Sequence, residues 1–186
     1  MARLVLASAS PRRLELLRRF DGHTVRVAVP GIDEPPGLAA PDAVLELSRL
    51  KAAAVSFDGG ETVIAADTLV ELDGEPLGKP RDRDAAFRML ERLSGRWHNV
   101  YTGVTVRNAH QALTARESTR VRFAALTARD IESYIETGEP MDKAGAYGAQ
   151  GRGALFVEAI DGDFYNVMGL PLFRLGQMLK NFDVYL

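Results

Sequence analysis

The stretch LVLASASPRR, residues 4–13, decides how the chain begins to fold. Leu4 to Ala7 is a short apolar run suited to a buried strand, and it stops at a small polar turn. Ser10 then fits a helix N-cap, and Pro11 fits the first helical position, where a missing N–H is harmless. Leu14, Leu17 and Phe20 carry an apolar helical face onward, so the chain opens as strand, turn, helix. The same turn has a chemical reading. A helix start exposes unpaired N–H groups and the positive end of the macrodipole, which suits phosphate. Ser8 and Ser10 add hydroxyls, and Arg12 and Arg13 add guanidinium forks that match phosphate oxygens. The plainer alternative is a capped helix with two solvated arginines.

Outward from this start, strands and helices interleave. Thr24–Val29 alternates as a strand and is ended by Pro30-Gly31, and residues 31–40 read as a Pro- and Gly-rich loop containing Asp33 and Glu34. From Pro41 to about Ser56 the helical spacing of Val44, Leu47, Leu50 and Ala54 predicts a second helix, with Lys51 at the edge of its apolar seam. Thr62–Leu72 is the most strand-like segment, and Asp73-Gly74 turns it. Asp82 and Asp84 suit the first turn of a helix that buries Ala86, Met89, Leu90 and Leu93 and ends at Gly95. Residues 100–107 and 112–123 read as a hairpin around Asn108–Gln111. Thr127-x-x-Asp130 is a capping-box start to a helix closed by Gly138; residues 138–153 are a glycine-dense loop. Ala154–Ile160 reads as a strand, and Pro171 opens a last helix ending near Lys180. The pattern predicts a mixed α/β sheet in a single domain over residues 1–186.

Composition narrows the chemistry. With no cysteine, thiolate nucleophiles, zinc-thiolate sites and iron–sulfur clusters are excluded. His23, His98 and His110 lack metal-binding spacing, so a bound metal would be a hard cation on carboxylates, such as magnesium or manganese. A formal charge of −2 argues against a nucleic-acid binder held by counterion release. No secretory leader or membrane-length apolar run is legible, so a soluble, cytoplasmic protein without membrane partners is expected.

Asp67 stands out within the apolar run VIAADTLV, residues 63–70. A carboxylate there must be paired, hydrogen-bonded or metal-bound, unless it points to solvent from a strand end. Lys79 lies in Gly-Lys-Pro, but this is not a nucleotide-binding Walker loop: the spacing from Gly74 is one residue short, and Pro80 replaces the hydroxyl residue. The loop 138–153 lacks the dinucleotide pattern G-x-G-x-x-G, yet its length and five glycines point to a ligand-contacting role rather than a bare connector. His98 reads as structural, and Trp97 and Tyr101 as packing or rim residues.

Taken in order, several segments resemble the Maf-like nucleotide pyrophosphatases. They are LASASPRR at 6–13, Asp33-Glu34, Lys51-Ala52, Ala66-Asp67-Thr68, Gly78-Lys79-Pro80, Ser94-Gly95 with His98-x-Val-Tyr-Thr-Gly103, the loop through Gln150-Gly151, and Gly169-Leu170-Pro171. The resemblance implies an elongated central sheet flanked by helices, in two lobes around a deep cleft, and a homodimer. It implies hydrolysis of a nucleoside triphosphate to the monophosphate and pyrophosphate with a divalent cation, magnesium or manganese. Asp142-Lys-Ala-Gly-Ala-Tyr147 resembles the branch acting on dTTP and UTP, while Trp97 and Ala149 depart from the family pattern. The alternatives are the sister branch acting on 7-methyl-GTP, and a nucleotide-binding regulator of septum formation without turnover. Carried onto this chain, the resemblance makes Asp67, Lys51 and Lys79 catalytic and Glu34 and Asp67 metal ligands. Ser8, Arg12, Arg13, Thr68, Lys143, Tyr147 and Gln150 would contact the substrate.

Overall fold

Strand β1 (Ala2–Ala7) is the expected apolar run, buried from Leu4 onward, and it feeds α1 (Pro11–Leu17) through the Ser8–Ser10 turn. The computed structural model describes residues 1–32 and 38–186. The chain continues through β2 (His23–Val27), α2 (Ala40–Ala53), β3 (Glu61–Leu72), β4 (Glu75–Leu77) and α3 (Arg83–Leu93). The long hairpin strands β5 (Trp97–Arg107) and β6 (Ala112–Phe123) precede α4 (Ala128–Glu136), β7 (Val157–Asp161), α5 (Phe164–Met168) and α6 (Leu172–Leu179). Six strands lie in the order β2-β1-β3-β5-β6-β7, with β4 added to one end of β3. β2, β1 and β3 are parallel; the other pairings are antiparallel, so the sheet is mixed.

Alternation along the long strands divides the core. On one face, Leu4, Leu6, Ile64, Ala66, Val104 and Val106 pack against Leu16 and Leu17 of α1 and Leu175 and Leu179 of α6. Farther along the same face, Val70, Leu72, Val100, Val121 and Phe123 pack against Leu90 and Leu93 of α3 and Ile131 and Ile135 of α4. The opposite face packs Val5, Ala7, Val63 and Ala65 against Ala52 and Val55 at the end of α2. Between the first two clusters the alternation is broken by Thr68 on β3 and Thr102 on β5, which are register partners. Two apolar cores on one sheet, parted by a polar seam, are the physical form of the two lobes.

Several expectations change in detail. α1 is only two turns long and stops at Leu17, short of Phe20. Ser10 takes the N-cap position, but its side chain makes no capping bond. Helix α2 buries Ala43, Val44, Leu47, Ser48 and Ala52, whereas Ala54 is exposed because the helix ends at Ala53 and Ala54 is its C-cap. Asp82 is the N-cap of α3, its carboxylate accepting the Ala85 N–H at 2.7 Å. The 138–153 loop is built of 3-10 turns over Glu139–Asp142, Ala144–Ala146 and Arg152–Phe156, so the following strand begins at Val157 rather than Ala154. The hairpin and the Thr127–Asp130 capping box are as expected.

Candidate active site

β1 pairs with β3 only as far as Ala65, and β4 takes up the same edge only from Val70. Residues 66–69 of β3 therefore have no strand partner on that side, and a cleft of about 600 Å³ opens at this gap. The strand order 2-1-3 places α1 and α2 on opposite faces of the sheet, which parts the loops beyond β1 and β3. Such a topological switch point is where open α/β sheets bind ligands.

Arg13 is buried at the cleft wall and held on three sides. Its Nε donates to the Gly169 carbonyl at 2.8 Å, Nη1 to Ser8 Oγ at 3.0 Å and Nη2 to Thr68 Oγ1 at 3.0 Å. Thr102 Oγ1 donates to the Asn166 carbonyl at 3.1 Å, so the 2.9 Å bond between the two threonines must run from Thr68 to Thr102. A directed chain thus links the guanidinium through both seam threonines to α5. Burial lowers the Arg13 pKa to about 10, opposed by the nearby Asp67 charge, so the group stays cationic at neutral pH. Five N–H donors less three leaves one on each Nη for a ligand oxygen. Ser8 Oγ also accepts the Ser10 N–H at 3.1 Å, so Ser8, not Ser10, organises the turn. With α1 this short, the cationic side chains supply most of the pull on an anion, and the helix dipole little.

Asp67 points to the other face of β3, toward α2, where Lys51 Nζ donates to its Oδ1. Both side chains are largely buried, at 18% and 10% exposure, in a pairing that answers the cost of a carboxylate among apolar neighbours. Gly103 lies opposite Asp67 across the ladder and lets the α2 backbone approach the sheet at Val44. Among the described residues the second oxygen of Asp67 makes no hydrogen bond, and no three His, Asp or Glu side chains cluster as a metal site. That donor set still fits magnesium or manganese, which take one or two carboxylates and complete their shell with phosphate oxygens and water. Glu34, the second implied ligand, lies outside the described residues.

The facing wall is the 139–153 loop. Lys143 donates to the Glu139 carbonyl and to Asp142, both at 2.6 Å, and Asp142 Oδ2 stands 3.7 Å from Arg12 across the cleft. Tyr147 borders the cleft but is only 6% exposed, its ring packed edge-on against His98 and Phe123 and its hydroxyl turned inward to His98 Nε2 at 2.8 Å. His98 is buried edge-on against Phe123, and burial lowers its pKa to about 4, leaving a neutral ring. Gln150 and Lys79 are exposed at the rim. In all, five cationic side chains and two carboxylates line the cleft among the described residues of a chain whose net charge is −2.

A protein-family model described as Maf-like protein matches residues 3–182. The chain belongs to the Maf-like family. This Maf-like chain is 54% identical over 185 residues to a Symbiobacterium thermophilum protein named dTTP/UTP pyrophosphatase, covering 98% of this chain and 95% of the relative. It is 51% identical over 170 residues to a Thermococcus onnurineus protein of the same name, covering 91% and 92%. Among solved structures it resembles the Staphylococcus aureus Ham1 protein, with TM-score 0.54 and 16% identity over 96% of this chain and 98% of that one. A Coxiella burnetii HAM1 protein gives TM-score 0.52 and 18% identity over 97% and 100%. At those identities the structural likeness speaks for the fold.

In the Maf-like fold seen here, Ser8, Arg12, Arg13, Lys51, Asp67, Thr68, Lys79, Lys143, Tyr147 and Gln150 all line one cleft. Two of these side chains already have partners within the protein. The Thr68 hydroxyl accepts from Arg13 and donates to Thr102, which leaves one lone pair. The Tyr147 hydroxyl is committed to His98, which leaves only the small exposed part of its ring for a ligand. Of the two departures from the family pattern, Ala149 lines the cleft, whereas Trp97 lies under the Arg120 guanidinium, 5.0 Å from it. Sequence reasoning missed Thr102, Asn166 and Glu139 as parts of the Maf-like site. A threonine in a strand reads as an ordinary β-former, and nothing in the sequence signals its partners.

Proposed function

We propose that this protein hydrolyses dTTP and UTP to the monophosphate and pyrophosphate. One observation carries the reading: a cleft rich in cations closes over a single buried carboxylate, Asp67, paired with Lys51 at the open edge of β3. The relatives named dTTP/UTP pyrophosphatase support the substrate, since they match nearly the whole chain at about half identity.

Arg12, Arg13, Lys51 and Lys79 neutralise the triphosphate and hold it in line for attack, where positioning and fixed charge provide most of the acceleration. Asp67 orients a water and accepts its proton as the water oxygen bonds to the α-phosphorus. The bond from that phosphorus to the bridging oxygen breaks, and its electron pair leaves on pyrophosphate, whose charge Arg13 offsets. A magnesium or manganese ion held by Asp67 would supply Lewis-acid polarisation of the phosphate oxygens. The same reading makes the protein a cytoplasmic homodimer; among the described residues no helix is long and apolar enough to cross a membrane.

The test is turnover in ¹⁸O-labelled water with dTTP, UTP, 7-methyl-GTP and purine triphosphates. Release of pyrophosphate from dTTP and UTP, with the label in the monophosphate, supports the reading. Label in pyrophosphate, preference for 7-methyl-GTP, or binding without turnover overturns it. Light scattering in solution tests the dimer.

A further inference from the structure

Glu139 has no part in the reaction proposed above, yet it organises the cleft wall opposite the phosphate-gripping residues. Its Oε1 accepts the Tyr134 hydroxyl at 2.8 Å and the Gly153 N–H at 3.4 Å, and its Oε2 accepts the Arg152 N–H at 2.9 Å. Tyr134 Oη in turn accepts the Gly148 N–H at 3.0 Å, and the Glu139 carbonyl takes the Lys143 ammonium at 2.6 Å. Burial works against the Glu139 charge, but the Arg152 N–H and Tyr134 hydroxyl hold its carboxyl below the usual range. The wrapping is close. A Cβ on Gly151 would overlap the Glu139 carboxylate, and one on Gly148 would sit 2.8 Å from Lys143 Cε. The Glu139 carboxylate thus ties residues 152 and 153 directly and residue 148 through the Tyr134 hydroxyl, its backbone carbonyl holds Lys143, and the ligand-facing stretch Ala144–Gln150 hangs between these ties.

We propose that Glu139 is the positioning residue for base selection. The argument rests on the cleft being the nucleotide site described under Proposed function. Arg12, Arg13 and Lys51 line the opposite side, so a triphosphate seated there turns its nucleoside toward the 144–150 wall. That wall offers small apolar groups at Ala144 and Ala149, backed by the largely buried Tyr147, and the exposed Gln150 amide, equipment for reading a base. Its shape depends on Glu139 because 3-10 turns of three to five residues have little stability of their own. Glu139→Gln is near-isosteric but, whichever way its amide turns, presents an NH₂ to one of the two backbone N–H groups, Arg152 or Gly153, that need an acceptor. The substitution therefore loosens the wall without touching Asp67, Lys51 or Arg13.

The experiment compares wild type, Glu139→Gln and Tyr134→Phe, measuring kcat and KM for dTTP, UTP and dGTP and the melting temperature of each. Binding of the non-hydrolysable α,β-methylene analogues of dTTP and dGTP is measured alongside. Losing a hydrogen bond to a charged group predicts KM for dTTP and UTP rising roughly tenfold in Glu139→Gln, with kcat within about threefold and the preference over dGTP narrowed. Tyr134→Phe, which keeps the ring packed on Phe156, should move the same quantities by less. A fall in kcat with KM and base preference unchanged, or variants indistinguishable from wild type, overturns the proposal. Should Glu139→Gln fail to fold, Tyr134→Phe decides. Should the wild type turn over no triphosphate, the proposed reaction fails, and the analogue affinities alone decide whether Glu139 sets base preference.

Discussion

Gly103 is the register partner of Asp67 across the β3–β5 ladder, and a Cβ on Gly103 would overlap the backbone carbonyl of Val44. The missing side chain lets α2 approach the sheet where the buried carboxylate stands. Lys51, two turns farther along the same helix, then reaches Asp67.

Gly103→Ala should therefore damage more than packing. Because the obstruction is backbone, α2 must shift as a body, at about 1–3 kcal/mol of stability. Turnover should fall in the remaining folded protein as Lys51 moves. Denaturant unfolding paired with pyrophosphate release checks both; full activity with intact stability would show that α2 need not pack so closely.

Asp67→Asn keeps the shape of the side chain and removes its charge and basicity. On the proposed mechanism, turnover should drop by about 10²–10⁴-fold, the usual worth of a positioned general base, with nucleotide binding retained. Steady-state kinetics beside calorimetric binding decide this, and a mutant near wild-type rate would remove Asp67 from its role.

Thr102 touches no ligand in this reading, yet Thr102→Val breaks the chain from Arg13 to Asn166. The loss should be about 1–3 kcal/mol, since buried polar groups are left unpaired. The Michaelis constant should rise as the guanidinium loosens, and Thr102→Ser should restore both. A defective serine variant beside an unaffected valine variant would point to the methyl group instead.

His98 gives a sign-definite pH effect. Burial lowers its folded pKa to about 4 from an ordinary value near 6.5, so the unfolded chain binds the proton more readily. Stability from this group is complete above pH 6.5 and is lost as pH falls toward 4, in total on the order of 3 kcal/mol. His98→Phe should flatten that slope in denaturant titrations between pH 7 and 4, even if it lowers stability throughout by stranding the Tyr147 hydroxyl. An unchanged slope would mean the ring is not the group responsible.

Much of this was legible beforehand, for local reasons. The β-branched run at 62–72 and the hairpin read at 100–123 declare themselves by composition, although the structure starts the first hairpin strand earlier, at Trp97. Asp67 declares itself by being out of place among apolar neighbours. β4 escapes notice because three residues including Pro76 carry almost no strand signal. The five-residue α5 is too short for a helical period to emerge. The seam of Thr68 and Thr102 cannot be read from either segment alone, since register between strands 34 residues apart creates it. Likewise the glycines of 138–153 announce a purpose, but the turns they make are set by Glu139 through tertiary contacts.

The bond from Arg13 to the Gly169 carbonyl spans 156 residues, and this gives the site a place in time. At ordinary synthesis speeds of 5–20 residues per second, those 156 residues take roughly 8–30 s to follow Arg13 out of the ribosome. Until then the guanidinium lacks the acceptor that orients its Nε, and the growing chain carries the Ser8–Arg13 turn without a finished site. The three-point hold on Arg13 is incomplete in every nascent chain that has not yet passed Gly169.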